Sequence, residues 1–404
     1  MPTAIVLHLS RPRLRGKYGS MVPILVATSM LNDSFSLEDM LSRVDPKRLK
    51  ATVEKLASYP TRNTLSPHCK ESCEWLASEM RKIPGLQVEL WKYTLKKSRR
   101  VPKDQDAYEV IATLPGKTDR TILVGGHIDS LNLKIGPLDG PAPGANDDAS
   151  GVALVLELAT VLSGRQYNQT LKFVAFSGEE QGLLGSAALA ERAKAENWKL
   201  EAVFSNDTVG SSSNSAGRKD AKHVRIFSDE QPEHESRELA RWIDWRVRET
   251  VKGFGISLVL RKDRFGRGGD HTPFAERAYS AVRFIEVCEE FTRQHTPEDL
   301  PKYMDFGYLA NVTRANLSAL IALAECGPQP ESVHLKMDQG PDTTLLWKKS
   351  PGVQYRVYWR RTVSATWEGA ALVGAVDEHT IRGVNKDDHF FGVGADGGIP
   401  VVVK

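Results

Sequence analysis

The sequence of 404 residues predicts an α/β protein, a mixed and mostly parallel sheet sandwiched between helices, with a small all-β sandwich at its C-terminal end. Three observations carry this expectation. Short β-branched runs alternate with helical segments of about ten residues or more up to residue 324. Turns bearing acids and histidines follow several of the strand-like runs, and in open α/β sheets ligands gather at the carboxyl ends of strands. Past Gly327-Pro-Gln-Pro330 the texture changes to short alternating runs parted by Gly, Pro, Asp and Asn.

Taken in order, Arg11, Arg13, Arg15 and Lys17 precede an apolar run over 21–31, with Ala27 and Ser29 spaced as at a signal cleavage site. Residues 1–35 are therefore expected to be a signal peptide or a disordered tail. The first reading implies export to the periplasm or the medium, the second a soluble cytoplasmic protein. The apolar run is too short to span a bilayer, so stable membrane insertion is not expected. Asp45-Pro46 opens an amphipathic helix to about residue 57, and Ser66-Pro67 opens another that carries Cys69 and Cys73 on one face. With only Cys288 and Cys326 besides, the cysteines are too few and scattered for a disulfide scaffold and read as buried thiols.

Strands are expected over 86–93, 108–114, 121–124, 171–177, 202–207 and 280–287, and helices over 152–162, 186–196 and 233–251. An Ala- and Leu-rich helix over 306–324 closes a domain of residues 36–328. The β tail, 330–404, has strands at 333–337, 343–347, 355–359, 379–381 and 390–395. Trp347 reads as its core tryptophan; Trp359 and Trp367 could be core or an exposed strip, with core as the default.

Hydrophobic residues make up 41% of the chain, enough for a sizeable core, and a net charge of +3 is too small to point to nucleic acid or an anionic membrane.

The chemistry concentrates around Glu179 and Glu180, adjacent carboxylates in Phe176-Ser-Gly-Glu-Glu-Gln-Gly182 at the end of an apolar run. Two such groups beside a buried strand repel each other unless a cation or a proton compensates them. Other segments supply matching donors: Gly125-Gly-His-Ile-Asp-Ser130 holds His127 and Asp129, Pro143-Gly-Ala-Asn-Asp-Asp148 holds Asp147, a strand ends in Asp207, and Gln294-His-Thr-Pro-Glu-Asp299 holds His295. One donor from each segment, His, Asp, Glu, Asp and His, makes a nitrogen and oxygen set without cysteine that suits zinc in a catalytic site, and five are too many for one open zinc but fit two that share a carboxylate.

These motifs, in this order, resemble the di-zinc exopeptidases of the aminopeptidase Y and bacterial leucyl aminopeptidase type, a group that includes glutamate carboxypeptidase-like and glutaminyl cyclase-like members. The resemblance spans about 37–327. It implies the zinc exopeptidase fold, two Zn²⁺ per chain and peptide substrates trimmed from the amino end. His127, Asp147 and Asp207 would hold one zinc and Asp147, Glu180 and His295 the other. Glu179 would be the general base and Asp129 would orient His127. Asp270 and His271, in Gly269-Asp-His-Thr-Pro-Phe274, would lie near the pocket without touching metal. The tail, through Leu346-Trp347 and Tyr355-Arg-Val-Tyr-Trp359, more loosely resembles a fibronectin type III-like module.

Plainer readings stand beside these. A single histidine at a strand end or an acidic pair opening a loop is usually structural, and it is the ordered set that outweighs this. Asp148 reads better as a helix cap than as a ligand. His68, His223, His234, His334, His379 and His389 read as surface or structural. The alternatives for function are a glutaminyl cyclase-like single-zinc acyltransferase, a carboxypeptidase or dipeptidase of the same fold, and a non-catalytic binding protein.

Overall fold

A computed structural model describes residues 36–136, 140–229, 231 and 235–403; the expected signal or tail segment and His234 lie outside them. The chain begins with three helices, α1 (Leu37–Ser42), α2 (Pro46–Ala57) and α3 (Pro67–Arg81). Each starts where a side chain satisfies a free backbone donor. Ser36 accepts from the Asp39 amide, Asp45 from Lys47 and Ser66 from His68, with proline at the first turn of α2 and α3.

The order then becomes β1 (Gln87–Leu95), β2 (Gln105–Leu114), β3 (Arg120–His127), α4 (Ala149–Leu162), β4 (Thr170–Phe176), α5 (Leu184–Ala195) and β5 (Lys199–Asn206). It continues through β6 (His223–Ser228), α6 (Ser236–Thr250), β7 (Gly255–Val259), α7 (His271–Ala275), β8 (Ala281–Glu286) and α8 (Phe306–Glu325). These strands form one eight-stranded sheet in the order β1-β2-β4-β3-β5-β8-β6-β7. Its centre, β4-β3-β5-β8, is parallel, and antiparallel pairs join it to β2 on one side and β6 on the other. The central strands are buried along nearly their whole length, which explains why they read as continuous apolar runs rather than alternating ones.

Leu123, Val174 and Val203 of the sheet cluster with Leu189 and Ala193 of α5 and Phe274 of α7. Helix α4 packs on β3 and touches α2 and α8. Cys69 and Cys73 are buried free thiols on α3, as expected, and the Cys73 thiol donates to the Tyr108 carbonyl at 3.3 Å. Among the described residues no helix is long and apolar enough to cross a membrane.

The tail forms β9 (Glu331–Leu335), β10 (Thr343–Lys348), β11 (Tyr355–Arg361), β12 (Gly369–Gly374), β13 (Glu378–Ile381), β14 (His389–Ala395) and β15 (Val401–Val402). They build two antiparallel sheets, β13-β10-β9 and β12-β11-β14-β15. Trp347, Tyr355, Val357, Phe391 and Val393 fill the core between them. Trp367 is fully buried against Tyr358, while Trp359 is half-buried. Helix α6 joins this tail to the sheet domain: Arg241 and Arg248 donate to the carbonyls of Ala365 and Trp367, both at 2.9 Å, and Trp245 meets Tyr358 edge-on.

Every expected strand and helix is present within a few residues. Those the sequence left unmarked are short or glycine-flanked, such as β7, β12 and the five-residue α7, where too few positions exist to establish a period.

Candidate active site

Because β4, β3, β5 and β8 run parallel, their carboxyl ends open on the same edge. The segments that follow them carry Glu179 and Glu180, His127 and Asp129, Asp207, and His295. Asp147 arrives from the turn that leads into α4. Two glycines make this possible. A β-carbon on Gly125 would lie 2.4 Å from the Phe176 ring, and one on Gly126 would lie 2.7 Å from the backbone of Gly151, so only glycine lets β3 end tight against the start of α4.

His127 is buried. Its Nδ1 lies 3.1 Å from the carbonyl of Asp129, which can only accept, so Nδ1 carries the hydrogen and the Nε2 lone pair points into the site. There it meets Asp147 Oδ1 at 3.1 Å and Asp207 Oδ1 at 3.7 Å. On the other side His295 Nε2 lies 3.0 Å from Asp147 Oδ2 and 3.2 Å from Glu180 Oε1. Asp147 thus gives one carboxylate oxygen to each histidine.

Asp129 does two things at once. Its carboxylate reaches to 3.5 Å from His127 Nδ1 and accepts from the amides of Glu179 and Glu180 at 3.4 and 3.1 Å, tying the end of β3 to the acidic turn after β4.

Asp148 is joined to Asp147 by a cis peptide bond and lies close enough to His127 and Asp207 to complete a donor group. Its oxygens are already committed, to the amides of His127, Gly151 and Thr208 at 2.8–3.2 Å. It caps α4, as the sequence suggests.

Carboxylates crowd together in the donor cluster, where Arg283, paired with Asp207, is the arginine in contact with a donor side chain. Burial, with Asp207 and Glu180 adding to it, pushes the Glu179 carboxyl well up. Burial also raises Glu180, with Asp147 beside it. Burial opposes a charge on the histidines, yet the surrounding carboxylates raise His127 well above its ordinary range and His295 to about 11. Without a cation the cluster takes up protons, which is the behaviour of a site built for positive charge.

The residues present fit zinc. Neighbouring ligands of a tetrahedral zinc bound at 2.0–2.1 Å sit roughly 3.3 Å apart, and the donor contacts here bracket that spacing. Glu180 Oε1 is buried and hydrogen-bonded to nothing, although it faces His295. Asp147, Glu180 and His295 form one group able to hold a metal ion, and His127 and Asp207 belong to a second.

Four further residues support the site. Arg283, buried in β8, donates to Asp207 Oδ2 at 2.7 Å, to Asp263 Oδ2 at 2.9 Å and to the Gly268 carbonyl at 2.7 Å. Gln294 donates to Asp147 Oδ2 at 2.6 Å, and Asp299 accepts from the amides of Asn146 and Asp147, both at 2.9 Å. Sequence reasoning missed Arg283, Gln294 and Asp263, although a lone cation inside Ala281-Val-Arg-Phe-Ile285 is itself a signal.

Asp270 and His271 are buried beyond this cluster and belong to neither donor group. Burial raises Asp270 to about 7 and lowers His271 to about 4, and His271 Nε2 donates to the Lys262 carbonyl at 2.8 Å. His68 and His223 pair with the nearby acids Glu71 and Asp220.

The cluster forms the floor of a cleft of about 730 Å³. Convergent donors at the strand ends and a spare carboxylate beside them are the equipment of a metallohydrolase. The comparisons with known proteins narrow that class. The model of peptidase family M28 matches residues 109–320. A probable zinc metalloprotease of Leptosphaeria maculans is 33% identical, aligned over 88% of this chain and 93% of its own. One of Pyricularia oryzae is 35% identical over 91% and 83%. The chain belongs to peptidase family M28 and is a zinc-dependent peptidase.

Among solved structures, the fold is similar to an aminopeptidase from Aneurinibacillus sp. strain AM-1, with a TM-score of 0.58 at 19% identity, covering 72% of this chain and 97% of that one. It is similar also to a zinc aminopeptidase from Bacillus subtilis, with a TM-score of 0.55 at 18% identity, covering 69% and 94%. A glutaminyl cyclase from Porphyromonas gingivalis shares the fold as well, with a TM-score of 0.53 at 17% identity over 68% and 96%.

Proposed function

We propose that the chain is a two-zinc aminopeptidase. The observation that carries this reading is Asp147, whose two oxygens lie 3.1 Å from His127 and 3.0 Å from His295 and so stand between two separate donor groups. His127, Asp147 and Asp207 would hold one ion, and Asp147, Glu180 and His295 the other.

When bound, zinc polarises a carbonyl and lowers the pKa of water toward about 7. The chain's own residues do the rest. Glu179, adjacent to a ligand but facing the cleft as a spare carboxylate, takes the proton from the attacking water and delivers it to the leaving amine. Asp129 holds the His127 ring and the Glu179-Glu180 turn in one register. Arg283 holds Asp207 by the oxygen turned away from His127, and Gln294 donates to Asp147 Oδ2, the oxygen that also faces His295, so each carboxylate is turned before any ion arrives.

An acid-rich floor favours the ammonium of a free amino terminus. The test compares a peptide with its N-acetylated form and counts bound zinc. Cleavage of the free peptide alone, with two zinc ions per chain, supports the reading. Equal cleavage of both forms, release of internal fragments, or a single zinc with acyl transfer would overturn it.

The two antiparallel sheets of the tail support its reading as a fibronectin type III-like module. The basic, apolar and small-residue pattern over 11–31 is the ground for proposing export, which amino-terminal sequencing of the mature protein would test.

A further inference from the structure

The cleft carries a second charge pattern that water activation does not use. Besides the four carboxylates Asp147, Glu179, Glu180 and Asp207 it is lined by five arginines, Arg99, Arg100, Arg264, Arg267 and Arg283. Cations therefore outnumber acids in the lining before any metal is added.

Two of the five are spoken for. Arg283 is clamped between Asp207 and Asp263, and Arg264 pairs with Asp263 and Glu289. The other three face solvent. Arg99 and Arg100 lie on the connection from β1 to β2, and Arg267 lies on the connection from β7 to α7. Arg100 is anchored by one nitrogen, which donates to the carbonyl of Glu180 at 3.1 Å, so its guanidinium is fixed beside the acidic turn with other donors to spare. The nearest carboxylate of Arg267 is Glu289, at 4.0 Å and already engaged by Arg264 and Arg225.

Solvent-exposed arginines are usually just solvated. Here they ring the mouth of the cleft whose floor holds the reacting groups, and guanidinium is the side chain best matched to a carboxylate. The same lining includes Leu131, Leu133 and Leu183, an apolar surface for an uncharged side chain.

We infer that the site prefers peptides that carry a carboxylate on the residue just after the scissile bond, either the free main-chain carboxylate of a dipeptide or the side chain of Asp or Glu. The inference rests on the aminopeptidase reading for the placement of the scissile bond. Arg99, Arg100 and Arg267 are the binding residues it assigns. The attraction acts through partly exposed groups, so it weakens with salt.

The experiment measures kcat/KM for Leu-Ala, Leu-Ala-amide and Leu-Glu-amide on the zinc-loaded full chain. At low ionic strength either or both acidic peptides are expected to exceed Leu-Ala-amide by roughly tenfold, as two or three exposed ion pairs allow. A preference for Leu-Ala alone identifies the main-chain carboxylate, and one for Leu-Glu-amide alone the side chain. The preference should shrink in 1 M salt and fall to about one in R99A/R100A/R267A. R99K/R100K/R267K should keep most of it. Because the preference is a ratio within each variant, a loss of folded protein cannot imitate the result.

Calorimetric titration with reduced-bond analogues of the same peptides, which are not hydrolysed, reads the preference independently of turnover. If no peptide is cleaved but the acidic analogues bind more tightly, the aminopeptidase reading fails and the inference stands. A wild type that cleaves all three peptides equally at low salt, or an alanine variant that keeps the ratio, overturns the inference.

Discussion

The strand ends of the large sheet and the core of the C-terminal tail bury very different chemistry. At the ends of β3, β4, β5 and β8, His127, Asp129, Asp147, Asp148, Glu180, Asp207 and Arg283 are all buried. In the tail the buried set is Leu345, Trp347, Tyr355, Val357, Phe391 and Val393. Burying apolar area stabilises a fold directly, whereas buried charges cost solvation and roughly break even at best when paired. The tail is arranged for packing, and the strand ends are arranged for a ligand that supplies positive charge. A region that spends stability in this way has function as its explanation.

Substitutions can break that comparison at its strongest point first. Asp147→Ala removes the carboxylate whose two oxygens face His127 and His295. Zinc content is expected to fall at both positions, and turnover to fall beyond the about 10²–10⁴-fold that a lost general base costs. Retention of one full equivalent of zinc with activity would show that the two groups are independent.

Arg283→Met comes next. It leaves Asp207 buried without its cation and Asp263 with Arg264 as its remaining arginine, so stability should drop by about 3–5 kcal/mol, read by denaturant unfolding. The effect carries a pH signature. Burial alone would raise the Asp263 carboxyl, but Arg283, with His271 and Arg264, holds it below its ordinary range. A carboxyl depressed on folding contributes stability above its unfolded pKa of about 4 and loses it as pH falls. The gap between wild type and variant should therefore narrow below about pH 4; a gap independent of pH would show that Arg283 acts through packing alone.

The tail gives the opposite outcome. Deleting residues from 330 onward removes none of the donors, so a small aminoacyl substrate should be turned over within a few-fold of wild type. Thermal stability should fall all the same, because α6 loses the partners of Arg241, Arg248 and Trp245. A folded, zinc-loaded truncation without activity would mean that the tail contributes to the site. At the small end, Lys348→Ala breaks a fully exposed pair with Glu331 and should leave melting unchanged.

How much of this was legible follows the same division. Asp147, Glu180 and His295 could be named because their short motifs occur together in the order of a known family, although each taken singly reads as structural. The central strands were legible because burial on both faces makes them unbroken apolar runs. Arg283 was hidden for the reason that makes it useful, since it sits within such a run and its partners Asp207 and Asp263 are far away in sequence and adjacent only after folding. The double role of Asp129 was half-visible: a partnership with His127 is implied by the family resemblance, but the amides of Glu179 and Glu180 reach it only through the pairing of β3 with β4. The cationic rim was invisible for the same cause, being assembled from two loops that no local pattern links.

The central claim is a division of labour between two neighbours, Glu180 for metal and Glu179 for the proton. Glu179→Gln and Glu180→Gln, with zinc content and turnover measured side by side, test it most directly. The account predicts that Glu179→Gln keeps its zinc while turnover falls about 10²–10⁴-fold with little change in KM. It predicts that Glu180→Gln loses the ion shared with His295 and recovers part of its activity when zinc is added. A Glu179→Gln enzyme that stays active, or that loses zinc as readily as Glu180→Gln, would contradict it.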